Sequence, residues 1–221
     1  MDLAKSFEFF DPGSFNDQIH IIGCGSVGST VAELLARFGI RKISLYDFDV
    51  VESHNLVNQM FTMQDVGKPK VNCVMQNLLS INPDMDITLW SHGWKGHKLY
   101  GYVFLCVDDI ELRKKIVTEN KFNNSIKAIF DFRTGLTECQ HFAADWSKLE
   151  DKNYLLNFMN FSHEEAKAAT RVSACNVEMC VAPTVRLVSN IGVCNFINFI
   201  KGLELKRGIV ADAFKFSMLE L

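Results

Sequence analysis

No Cys-x-x-Cys pair occurs anywhere in the 221 residues, no repeat or low-complexity tract interrupts them, and no arginine precedes Arg37. The seven cysteines are odd in number and lack the spacing of a disulfide framework, so they read as reduced thiols of a cytoplasmic protein. Cys175 and Cys180 alone cannot complete a four-ligand zinc site, and no zinc is expected. A net charge of -3 provides no basic footprint for nucleic acid. The apolar run from Leu187 to Ile200, closed by Arg186 and Lys201, is shorter than the roughly 20 residues a membrane helix needs. With no signal pattern at the start of the chain, neither a membrane nor a secretory role is expected.

What is present favours one large α/β domain over residues 1–221, because 48% hydrophobic residues suffice for a full core at this length. Gln18 to Ile22 gives an apolar strand that runs into Gly23, Gly25 and Gly28, spaced as G-x-G-x-x-G. The first glycine permits a tight turn, the second lets a phosphate approach the backbone, and the third lets helix and strand pack closely. Val27, Val31, Leu34, Leu35 and Phe38 then fall on one helical face before Gly39. Lys42 to Tyr46 predicts a second strand ending at Asp47, 24 residues past Gly23, close to the spacing at which a carboxylate receives ribose hydroxyls. This much fits a nicotinamide-dependent oxidoreductase as well as any other nucleotide enzyme.

The polar insert that follows narrows the choice. Asp47-Phe48-Asp49 is followed by Asn55-x-x-Asn58-Gln59, then Gly67-Lys68-Pro69-Lys70, a helix with Val71, Val74, Met75, Leu78 and Leu79 inward, and Val107-Asp108-Asp109 after a later strand. In order and spacing these motifs resemble the ThiF, MoeB and ubiquitin-activating-enzyme superfamily, and the whole chain is similar to ThiF-like proteins of phage and prophage origin. The resemblance implies a Rossmann-like, doubly wound, mostly parallel sheet flanked by helices, with antiparallel strands towards the C-terminus. It implies ATP and Mg²⁺ as cofactors, with adenylation of the C-terminal carboxylate of a ubiquitin-like or sulfur-carrier protein, or of a peptide.

Carried over by position, Gly23, Gly25, Ser26 and Gly28 would cradle phosphate, Asp47 and Asp49 would hold the ribose end, and Lys70 would contact phosphates. Asn55, Asn58 and Gln59 would form a polar wall, and Asp108 would hold the metal. Asp109 is the lesser metal candidate. The catalytic set is Lys70, Asp108 and Cys175, the last standing eight residues before Pro183 at the start of a long apolar helix, where some relatives use a thiol nucleophile. Cys180 is the alternative. Where relatives carry an arginine this chain has Asn58, which can hydrogen-bond a phosphate but not neutralise it. Lys68, Arg113 or a partner's residue could substitute; a nucleotide-binding pseudoenzyme is the alternative function.

Further along, Asp86 to Trp90 reads as a strand, His92 and His97 as loop residues, and Tyr100 to Val107 as a buried strand delivering Asp108. Glu111 to Phe122 reads as a helix and Ala128 to Phe132 as a strand, with Arg133 either a contact for a substrate carboxylate or a surface arginine. Cys139 to Trp146 predicts a strand, Ser147 to Thr170 a polar connection, Thr184 to Ile200 a packing helix, and Gly208 to Leu221 one closing strand. The resemblance also implies a homodimer.

Overall fold

The computed structural model describes residues 1–161, 164–165, 172 and 179–221. In chain order its elements are β1 (Ile19–Ile22), α1 (Ser26–Arg37), β2 (Lys42–Tyr46), α2 (Lys70–Ile81), β3 (Asp86–Trp90), β4 (Gly101–Leu105) and α3 (Ile110–Glu119). β5 (Ile126–Thr134), β6 (Glu138–Asp145), α4 (Leu149–Asn157), α5 (Ala182–Ile200), β7 (Gly208–Asp212) and β8 (Ser217–Glu220) complete them. The strands form one sheet in the order β3-β2-β1-β4-β5-β6-β7-β8. β3 to β5 run parallel to one another, and β6, β7 and β8 each pair antiparallel with the strand before. The strand order places β1 and β4 side by side at the point where the chain reverses direction across the sheet, which is where open α/β sheets bind ligands.

β1 and β4 are buried along their whole length, as strands covered on both faces must be. On one face α1, α2 and α5 bring Val31, Leu35, Val74, Val188 and Phe196 against Ile21, Leu45, Phe104 and Phe130. On the other, α3 and α4 bring Ile116, Val117 and Leu155 against Ile22, Leu105, Ile129 and Ala144. α5 lies so close to the sheet that a Cβ on Gly192 would stand 2.0 Å from the Phe132 ring. Of the lead-in phenylalanines, Phe10 is buried and Phe15 packs on the core, whereas Phe7 and Phe9 are exposed.

Two expectations are corrected. The polar connection after Trp146 contains the helix α4, whose Leu155 is fully buried under β6. The closing strand is a hairpin: β7 turns through Phe214, Lys215 and Phe216 into β8, with Phe216 at a φ of 53° and the Asp212 carboxylate accepting the N–H groups of Phe214 and Lys215 at 2.9 Å.

Candidate functional site

The turn between β1 and α1 is built by three glycines with different duties. Gly23 has a φ of 96°, and a Cβ there would lie 2.8 Å from the Cys106 carbonyl. A Cβ on Gly28 would fall 1.8 Å from the Gly23 carbonyl oxygen, so that position fixes how closely α1 approaches β1. Gly25 is different: a Cβ there would meet nothing within 4 Å. It is the N-cap of α1 and makes no side-chain capping bond, so the first N–H groups of a 12-residue helix open onto free space.

Asp47, at the end of β2, is tied to that turn. Its Oδ2 accepts the Cys24 N–H at 2.6 Å and its Oδ1 accepts the Asp49 N–H at 2.8 Å. A carboxylate has about four acceptor positions, so two are left for a ligand. Burial raises the Asp47 pKa above the usual carboxylate value, against the pull of those two N–H groups and of Lys70. Lys70, the first residue of α2, is held beside it by backbone pairing: Lys70 N–H donates to the Asp49 carbonyl at 2.9 Å and Val51 N–H to the Lys68 carbonyl at 2.9 Å. Its side chain is buried, with Nζ 2.8 Å from Asp49 Oδ2.

These groups face one cavity of about 340 Å³ at the carboxyl ends of β1, β2 and β4. Gly23, Gly25 and Ser26 line one end; Asp47, Asp49 and Lys70 line the next part, with Gln59 and Asp108. The Gln59 Oε1 is buried and, among the described residues, has no hydrogen-bond partner. Asp108 and Asp109 are both exposed, but only Asp108 lines the cavity; Asp109 accepts the N–H groups of Glu111 and Leu112 at 2.9 and 3.1 Å as the N-cap of α3. Of the two adjacent carboxylates, Asp108 is therefore the one open to the cavity. Among the described residues, no group of three or more His, Cys, Asp or Glu side chains could hold a metal ion. A Mg²⁺ site needs no such group, because one or two carboxylates and the substrate phosphates suffice.

Several expected residues lie elsewhere. Gly28, Asn55 and Asn58 do not line the cavity. Asn55 Oδ1 accepts the Glu52 N–H at 2.9 Å and stitches the short 3-10 helix Ser53–Val57. Asn58 Nδ2 donates to the Cys180 carbonyl at 3.1 Å, joining this helix to the chain just before α5. Arg113 is not free to replace the missing arginine: it is buried and bonded to Asp131 and to the Val107 carbonyl. Lys68 points to Asp65, 3.9 Å away, on the surface. Arg133 is no free surface residue either, since its Nε donates to Asp131 at 2.8 Å and its guanidinium to the Phe158 carbonyl at 2.6 Å. Cys175 lies outside the described residues. Cys180 is half-buried, and burial raises its pKa.

The cavity also has a wall largely outside the motifs: Tyr46, Trp94 and Leu112 join the motif residue Val107 as apolar lining, and His92, Gly93 and Lys95 come from the turn after β3. Gly93 and Gly96, at φ 70° and 81°, were the sequence's one signal of a shaped turn there.

The ThiF family profile matches residues 14–220. Ubiquitin-like modifier-activating enzyme 5 from Drosophila virilis is 31% identical over 169 residues, covering 63% of this chain and 41% of that protein. The protein of the same name from Oryza sativa subsp. japonica is 42% identical over 73 residues, 33% of this chain and 17% of its own. The chain thus spans less than half the length of these curated relatives. Among solved structures, E. coli MccB determined with ATP superposes with a TM-score of 0.71 at 19% identity, over 93% of this chain and 63% of that one. PaaA superposes with a TM-score of 0.71 at 18% identity, over 93% and 64%. At such identities the likeness is one of fold.

Proposed function

The chain belongs to the ThiF family, and from that premise we propose that it binds ATP with Mg²⁺ and adenylates the C-terminal carboxylate of a ubiquitin-like or sulfur-carrier protein, or of a peptide. The observation that carries the reading is the one cavity that gathers Gly25, Asp47, Gln59, Lys70 and Asp108 from five separate motifs. Its donors fit a nucleotide. Open space at Gly25 receives a phosphate against the N-terminus of α1, and the two unused acceptor positions of Asp47 receive ribose hydroxyls. Gln59 lines the cavity, and its amide NH₂ can donate to a phosphate oxygen.

In the reaction, a carboxylate oxygen of the acceptor forms a bond to the α-phosphorus, the bond from that phosphorus to the pyrophosphate oxygen breaks, and pyrophosphate leaves. Negative charge grows on the phosphate oxygens, and the Lys70 ammonium offsets it. Asp108 would hold Mg²⁺, which would supply the remaining charge neutralisation. Asp49, 2.8 Å from its Nζ, holds the Lys70 side chain in place before substrate arrives. Cys175 is proposed as the thiol that takes the acyl group from AMP in a second step, forming a thioester. A homodimer is proposed from the family.

ATP–pyrophosphate exchange against carriers or peptides encoded beside the gene tests this reading. Exchange is expected with one of them, and Asp108→Ala should lower it at least a hundredfold. Exchange with no candidate, or exchange undiminished in the variant, would overturn the proposal. A second reading, nucleotide binding without turnover, draws on Asn58, whose amide is engaged by the Cys180 carbonyl and lies off the cavity. ATP binding without exchange, unaltered by Asn58→Arg, would support that reading instead.

A further inference from the structure

Two lysines line the cavity, and their situations differ. Lys70 is buried and paired with Asp49. Lys95 is exposed, and among the described residues it has no ion-pair partner. The turn that carries it is nevertheless pinned. Trp94 Nε1 donates to the His97 carbonyl at 2.9 Å, and the Lys95 N–H donates to His97 Nδ1 at 3.2 Å. Gly93 sits against Phe48, the residue between Asp47 and Asp49, where an added Cβ would come within 3.2 Å of the ring.

The order of strands fixes which end of the cavity this is. The glycine turn follows β1, Asp47 ends β2, and the Lys95 turn follows β3, in a sheet whose edge runs β3-β2-β1. A nucleotide with phosphate over β1 and ribose over β2 directs its base to the β3 side. There Trp94, in the turn after β3, offers apolar surface suited to a flat ring, while Val107 and Leu112 line the cavity from the β4 side. Resting on the nucleotide reading above, we infer that Lys95 is a base-contacting residue at the base end of the cavity. Its ammonium, which carries three donors and no acceptor, donates to ring-nitrogen acceptors of a purine. None of the motifs quoted from the sequence includes this lysine.

Calorimetric titration of the full chain and of Lys95→Ala with ATP and with AMP tests the assignment. The variant should weaken both nucleotides by the same factor, about tenfold for one charge-assisted hydrogen bond, with the thermal midpoint unchanged because the side chain is exposed. A loss larger for ATP than for AMP would place Lys95 at the phosphates and overturn the inference, as would no loss at all. If the unaltered chain binds neither nucleotide, the nucleotide reading falls and this inference with it. That outcome is separate, because it is read on the unaltered chain.

Discussion

Three glycines share one motif, yet each answers to a different physical demand. Gly28 stands where a methyl group would overlap the Gly23 carbonyl at 1.8 Å, and the obstacle is backbone, which cannot step aside. Gly28→Ala should therefore cost about 3 kcal/mol, the upper part of the overpacking range, read as a lower midpoint in urea. Gly25 has open space around its missing Cβ, so no neighbouring atom excludes a methyl group there. Gly25→Ala should change stability by no more than about 0.5 kcal/mol while weakening ATP binding, because the added methyl occupies the approach of a phosphate to the backbone. Equal effects of the two variants on stability would contradict this division. The other residues of the site follow a similar logic: Lys70 is kept buried by Asp49, and Asp47 spends half of its acceptors on fixing the turn.

At the scale of elements, Asp131 on β5 is a junction. It is fully buried and pairs with Arg113 of α3 and Arg133 of its own strand, while Arg133 also reaches the Phe158 carbonyl at the end of α4. Burial alone would raise the Asp131 pKa, but the two guanidinium groups outweigh it and hold the carboxyl below its usual value. Asp131→Ala would leave two buried cations without their anion, and a loss of about 3–5 kcal/mol is expected in urea unfolding. A loss below about 1 kcal/mol would show the junction to be dispensable. Such a junction explains which elements could be read from sequence. β2 and β3 are legible because their apolar residues and flanking turns are local properties, and α1 because its apolar stripe has helical period. α4 is not: Glu150, Asp151 and Lys152 break any apolar stripe, and the fold buries Asp151 and Lys152 together with Leu155. Likewise Asp47, Lys70 and Asp108 were legible from motif spacing, whereas Trp94 and Lys95 reach the cavity only because β3 lies beside β2.

Across the whole molecule, the sheet buries two histidines, His20 in β1 and His141 in β6. Burial lowers the pKa of each to about 4. His141 has fixed partners. Its Nδ1 faces the Asp131 carbonyl at 3.1 Å, and its Nε2 faces the Asn195 amide nitrogen at 3.1 Å. That amide cannot turn over, since its NH₂ also donates to the Lys206 carbonyl at 2.8 Å and its oxygen accepts the Lys206 N–H at 3.0 Å. The ring is thus held neutral, with Nδ1 as donor and Nε2 as acceptor, and a proton on Nε2 would meet another donor. The unfolded chain titrates near 6.5, so it binds protons that the folded chain refuses. The stabilising contribution is full above pH 6.5 and is lost as the pH falls from there through about 4. Asp47 acts in the opposite sense, because its raised pKa makes protonation favour the folded state. Between pH 7 and pH 5, urea unfolding should show stability falling by about 2 kcal/mol for each histidine. His141→Gln, which removes the titrating ring, should be less stable at pH 7 and should lose about 2 kcal/mol less over the same interval. An unchanged fall in that variant would mean that His141 does not carry the acid sensitivity of the fold.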